Sequence, residues 1–204
     1  MRGQAASRQR NVGTMNTPKL LTTSVIAVGL LAAATQFQVR AGFIQDPSFE
    51  TDYNPTWPHY GTVNAWAGLS GDNDVTGPFH NSVTAIPDQS QVGFKQGAGA
   101  VTQDISGLTP GEQYWLQFWY DARDSSIKVD ITASFNGVDI DKVVNVQPAH
   151  LKNLPYYFAS FPFTPDVDSG TLALTVAVTG DSTALFDGVN IVQRDTNNVT
   201  VAKI

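Results

Sequence analysis

The sequence predicts an all-β domain, a sandwich or a barrel, on three observations. After Gly42 the chain consists of short alternating runs separated by Gly, Pro, Asn and Asp, and no stretch sustains a helical period. Seven of these runs read as strands: residues 91–94, 100–105, 113–121, 127–136, 156–163, 171–179 and 184–192. The punctuation between them has a mechanism. Gly97-Ala98-Gly99 reads as closing a hairpin, Thr109-Pro110-Gly111 as a tight turn and Asn136-Gly137 as a primed hairpin turn. Pro165 ends a strand because proline has no N–H to give to a ladder. Strands at this spacing, bounded by turn signals, belong to sandwiches and barrels.

Length and composition allow one such domain. Of 204 residues, 42% are hydrophobic and 10% aromatic, enough to build one core. Cysteine is absent, which excludes disulfides, thiolate metal sites and cysteine nucleophiles. Residues 51–90 show little alternation and are rich in Asn, Asp, Gly, Pro and aromatics, so they read as long ordered loops. The polar segment 194–204 reads as a short tail.

Residues 1–41 read as an N-terminal extension and secretory signal, with Met15 a candidate start. Lys19 supplies a positive leader, residues 20–34 an apolar stretch, and Val39-Arg40-Ala41 a cleavage site near Ala41. The apolar stretch is shorter than the roughly 20 residues a membrane span needs, which disfavours an uncleaved anchor. The folded domain is then expected over residues 42–193, secreted, periplasmic or on the cell surface. Its charge is one-sided: after Ala41, 7 basic residues face 18 acidic ones, a formal charge of −11. Such a surface repels phosphate backbones and anionic lipid, so neither nucleic acid nor, after signal cleavage, a membrane is an expected partner.

Three segments narrow the fold. "FIQDPSFE" (43–50), "IPDQSQVGFKQGAGAVTQDISGLTPGEQYWLQFWYDAR" (86–123) and "ALFDGVNIV" (184–192) resemble the opening, middle and closing strands of galactose-binding-like jelly rolls. That group includes carbohydrate-binding modules of the cellulose- and xylan-binding kind and related exported cell-wall domains. The resemblance implies an antiparallel two-sheet β-sandwich with Phe49, Phe94, Ile105, Leu116, Phe118, Leu172, Leu174 and Phe186 between the sheets. It also implies a structural calcium ion near the first and last strands, with Glu50 and Asp187 at the matching positions. Hard carboxylate oxygens suit that ion; the alternative is that both carboxylates accept backbone N–H groups.

The strand "QYWLQFWYDA" carries the main candidate site. With period 2, Tyr114, Leu116, Phe118 and Tyr120 share one face, and Trp115, Gln117, Trp119 and Asp121 the other. Two indoles about 13 Å apart along a strand, with an amide between them, suit a glycan whose sugar faces stack and whose hydroxyls need polar partners. Buried packing is the competing account. A second set comprises Tyr53, Trp57, His59, Tyr60 and Trp66. Trp57 and Tyr60 are the candidates there for sugar contact, and Trp66 reads as structural.

No catalytic signature competes. His59, His80 and His150 are scattered, and no nucleophile elbow, P-loop or dinucleotide fingerprint occurs. Carboxylate pairs such as Asp139 and Asp141 lie where solvent-facing charge is ordinary. The sequence therefore points to an exported, non-catalytic carbohydrate-binding domain. The rival is a structural or protein-interaction domain of the cell surface or matrix, in which the same aromatics are core.

Overall fold

The structure is a computed structural model and describes residues 42–56, 59–72, 86–123 and 127–193. The signal segment, Trp57 and the tail from 194 lie outside these residues.

Among the described residues, ten strands form two antiparallel sheets. In chain order they are β1 (Tyr60–Thr62), β2 (Ser70–Asp72), β3 (Val92–Gln96), β4 (Gly99–Ser106), β5 (Tyr114–Ala122), β6 (Val129–Phe135), β7 (Val138–Val146), β8 (Tyr157–Phe163), β9 (Ser169–Ala177) and β10 (Thr183–Gln193). One sheet has six strands in the order β1-β2-β3-β10-β5-β8, and the other four in the order β4-β9-β6-β7. The chain is thus an all-β, two-sheet sandwich. All seven expected strands are present, with ends moved by one or two residues.

Period-2 alternation builds the core. On β5, Tyr114, Leu116 and Phe118 are fully buried and face the second sheet. Phe118 packs against Phe161 of β8 and Phe186 of β10, with ring centroids 5.6 and 6.3 Å apart. Leu172, Leu174 and Val176 of β9 and Val129 and Ile131 of β6 close the layer from the other side. Trp66 is structural, as expected: it is buried, meets Phe49 edge-on, and its Nε1 donates to the Asp46 carbonyl at 3.2 Å.

Three readings need correction. Phe94 is buried, but not between the sheets. Gly93 takes the inward position, where a Cβ would meet Leu69 and Phe49, so Phe94 and Val92 turn outward. There they join Leu185 and Tyr156 in a second apolar cluster, with Ile86 and Trp119 packed against it. Gly97-Ala98-Gly99 does not close a hairpin either. It carries the chain from β3 in one sheet to β4 in the other, with Gly97 N–H donating to the Ser182 carbonyl at 2.8 Å.

Residues 51–90 are not all loop, because β1 and β2 add two short strands to the edge of the six-stranded sheet. The strand after Asn136-Gly137 alternates only over Val138-Asp139-Ile140-Asp141 and was not among the seven expected. β7 is an edge strand with almost no buried face and two register irregularities, and it carries Asp139, Asp141 and Lys142 in exposed positions. The Asn136-Gly137 turn itself has φ of 49° and 77°, as a primed hairpin requires.

Candidate functional site

The outer face of the six-stranded sheet is where the sequence candidates fall, and register arranges its side chains in rows across the strands. In one row Gln117 of β5 stands between Asn190 of β10 and Ser160 of β8. Next to it on one side is the row Val192, Trp115, Pro162; on the other is Asp187, Trp119, Phe158. A polar row is thus flanked by two indole-bearing rows. Gln117 Nε2 donates to Ser160 Oγ at 3.2 Å, which presets the amide orientation.

A bulge in β10 creates this alignment. Between Asp187 and Asn190 two residues, Gly188 and Val189, oppose the single Phe118 of β5, which returns Asn190 to the outer face. Gly188 is required here twice over. Its φ is +56°, and a Cβ would come within 3.2 Å of the Trp119 indole that lies over it.

The two tryptophans differ in setting. Both are half-buried, so neither is ordinary core. Trp119 is held by the second apolar cluster and by Phe158, whose ring lies 4.8 Å away at 55° and is 49% exposed. Trp115 sits at the other end of β5, in the row with Pro162 and Val192. Beyond Trp119 the outer face is closed: Asp121, Leu185, Phe94 and Tyr156 are all buried. The open half therefore begins at Trp119 and Phe158 and extends along the strands to Trp115.

The structure does not bring Tyr60 to this place. Tyr60 is exposed and packs edge-on against Phe94, with centroids 6.3 Å apart, but β1 lies four strand positions from β5, about 19 Å. Phe158, Ser160 and Asn190 were missed by sequence reading. Alternation in "YFASFPF" marks Phe158 and Ser160 as outward, but that β8 and β10 flank β5 is a fact of topology that no local pattern carries.

Of the metal candidates, Asp187 lies on β10 of the same sheet and Glu50 in a turn before β1. Asp187 is fully buried; its Oδ2 accepts the Asp88 N–H and its Oδ1 the Gly188 N–H, both at 2.7 Å. Burial pushes its carboxyl up to about 8 against these two hydrogen bonds, and the charges of Asp88 and Glu50 add to the rise. Glu50 stands in the 3-10 turn Glu50–Asp52, where its Oε1 accepts the N–H groups of Ser90 and Gln91 at 2.7 and 2.6 Å. Asp88 Oδ2 accepts the Ser48 hydroxyl at 2.5 Å, and Asp46 Oδ2 is buried without a partner. Among the described residues no group of three or more His, Cys, Asp or Glu side chains is arranged to hold a metal ion.

The two sheets define an antiparallel β-sandwich. Solved structures with a similar course include a family 61 carbohydrate-binding module in complex with β-1,4-galactotriose, at 14% identity and a TM-score of 0.43, covering 75% of this chain and 99% of the module. A family 16 carbohydrate-binding module is similar at 13% identity and a TM-score of 0.48, covering 74% of this chain and all of the module. So is a Stig cyclase from Fischerella sp. TAU, at 14% identity and a TM-score of 0.49, covering 74% of this chain and 95% of the cyclase. No protein-family model matches the sequence, and no curated protein matches it.

Proposed function

We propose that this chain is an exported, non-catalytic glycan-binding domain whose ligand lies on the open half of the outer face, against Trp115, Gln117 and Trp119. The observation that supports it is the row pattern itself. Indole faces on either side of an amide–amide–hydroxyl row offer what a sugar chain presents in turn, apolar ring faces and hydroxyls. Export rests on the apolar segment at 20–34 with Lys19 before it. Among the described residues no helix is long and apolar enough to cross a membrane.

Titration with soluble β-linked oligosaccharides tests the site. Trp115→Ala is expected to weaken binding by roughly 0.5–1.5 kcal/mol, about two- to twelvefold in Kd, with a melting temperature close to that of the parent. Undiminished binding by that folded variant would exclude the face. Exposed Leu151 and Leu154, on the segment leading into β8, favour the second reading, a protein-interaction domain. Absence of glycan binding by the parent would leave that one standing.

A calcium ion held by Glu50 and Asp187 is the second part of the proposal. The residues fit in charge: Asp187 is pushed toward its neutral form beside two other carboxylates, and Asp46 Oδ2 is buried and unpartnered. When bound, calcium supplies local charge neutralisation and ties the 3-10 turn to β10, while backbone carbonyls would have to complete its oxygen shell. Added calcium is then expected to raise the melting temperature, increasingly with concentration, because it binds only the folded state. Melting that ignores both calcium and chelator removes the ion from the proposal.

A further inference from the structure

We infer that the glycan accepted on this face is a neutral one, and that uronate-bearing polysaccharides are refused. This rests on the proposed glycan site and specifies its chemical class. The polar row offers Asn190, Gln117 and Ser160, three side chains that give and accept hydrogen bonds without carrying charge. Neutral hydroxyls, which also do both, are their natural counterparts. A buried carboxylate is best offset by a cation that replaces its lost hydration, and among the described residues no Lys or Arg faces this row.

The positions of the cations make the point. Of the basic side chains among the described residues, Lys95 reaches toward Gly99, Arg123 pairs with Asp181 at 3.7 Å, and Lys152 lies over the Tyr157 ring at 5.2 Å. Lys142 is on β7 of the other sheet, and Lys128 is exposed just before β6 in that sheet. The ionisable group of the adjoining row, Asp187, is fully buried and supplies no cation to the face. Behind these local contacts stands the formal charge of −11 after Ala41, which repels a polyanion at any approach.

The test is calorimetric titration of the full chain with chemically matched pairs: a neutral β-glucan and its C6-carboxylated form, and unsubstituted xylan and glucuronoxylan, each at low and high salt. The neutral member is expected to bind with a Kd that salt leaves within about twofold, and the carboxylated member at least about tenfold more weakly. Asn190→Lys, an exposed change, should narrow that gap at low salt and lose the gain at high salt. A parent protein that binds the carboxylated member as tightly as the neutral one overturns the inference. If that binding still weakens in Trp115→Ala, the glycan site itself survives. If no member of either pair binds, the inference and the glycan site fall together.

Discussion

Replacing Phe118 by alanine is expected to lower stability by about 3–5 kcal/mol, the range for removing a buried phenylalanine side chain. Phe118 is fully buried, touches Tyr120, Phe161 and Phe186, and stands opposite the β10 bulge, so nothing nearby is free to fill the space it leaves. In a domain of this size such a loss lowers the melting temperature by roughly 6–20 °C. Three residues away on the same strand, Trp115 faces the other way and is only half-buried, and its loss should be felt in binding before stability. Thermal melts of the two variants side by side make the check. A Phe118→Ala protein that melts within a few degrees of the parent would mean that β5 does not face the core as described.

The contrast between Phe118 and Trp115 was legible in the sequence, because a strand with one buried face writes its alternation into the chain. The same rule located seven strands, and it failed where its physical premise fails. β7 buries only Val146 fully, and its alternation stops after Asp141, at Lys142-Val143-Val144. β1 and β2 are three residues each, too short for any period to register. Phe94 shows a different limit. Hydrophobicity reports that a residue is covered but not by which layer, and here the cover comes from Tyr156 and Ile86 on the outer face rather than from the second sheet.

Of the candidate site, the three β5 residues could be placed on one face from the sequence, because they belong to one strand. Their neighbours Asn190 and Ser160 could not, because they come from strands dozens of residues away and, for Asn190, depend on a bulge at Gly188. A glycine between Asp187 and Val189 is a visible signal in itself. Only the paired register shows that it changes which side chains face the ligand.

Between about pH 4 and pH 8 the protein is expected to become less stable, through Asp121 and Asp187. Burial pushes the Asp121 carboxyl up to about 6, against hydrogen bonds to its Oδ1 from the N–H groups of Ala149 and Ala122, and Asp187 rises to about 8. Both values lie above the unfolded carboxyl near 3.8, so the folded chain keeps protons that the unfolded chain has released. Their contribution is complete below the unfolded value. It is lost as pH rises through about 6 for Asp121 and about 8 for Asp187, and for Asp121 it amounts to an order of ~3 kcal/mol. Denaturant midpoints across this range check the direction. Asp121→Asn, which retains the Oδ1 acceptor for both N–H groups, should flatten the profile at its acid end, and a profile it leaves unchanged would remove Asp121 as a cause. Calcium separates the two groups. An ion held by Glu50 and Asp187 favours ionised Asp187 and should abolish the alkaline part of the fall while leaving the Asp121 part in place. An alkaline fall that persists in saturating calcium would assign Asp187 to backbone hydrogen bonding alone.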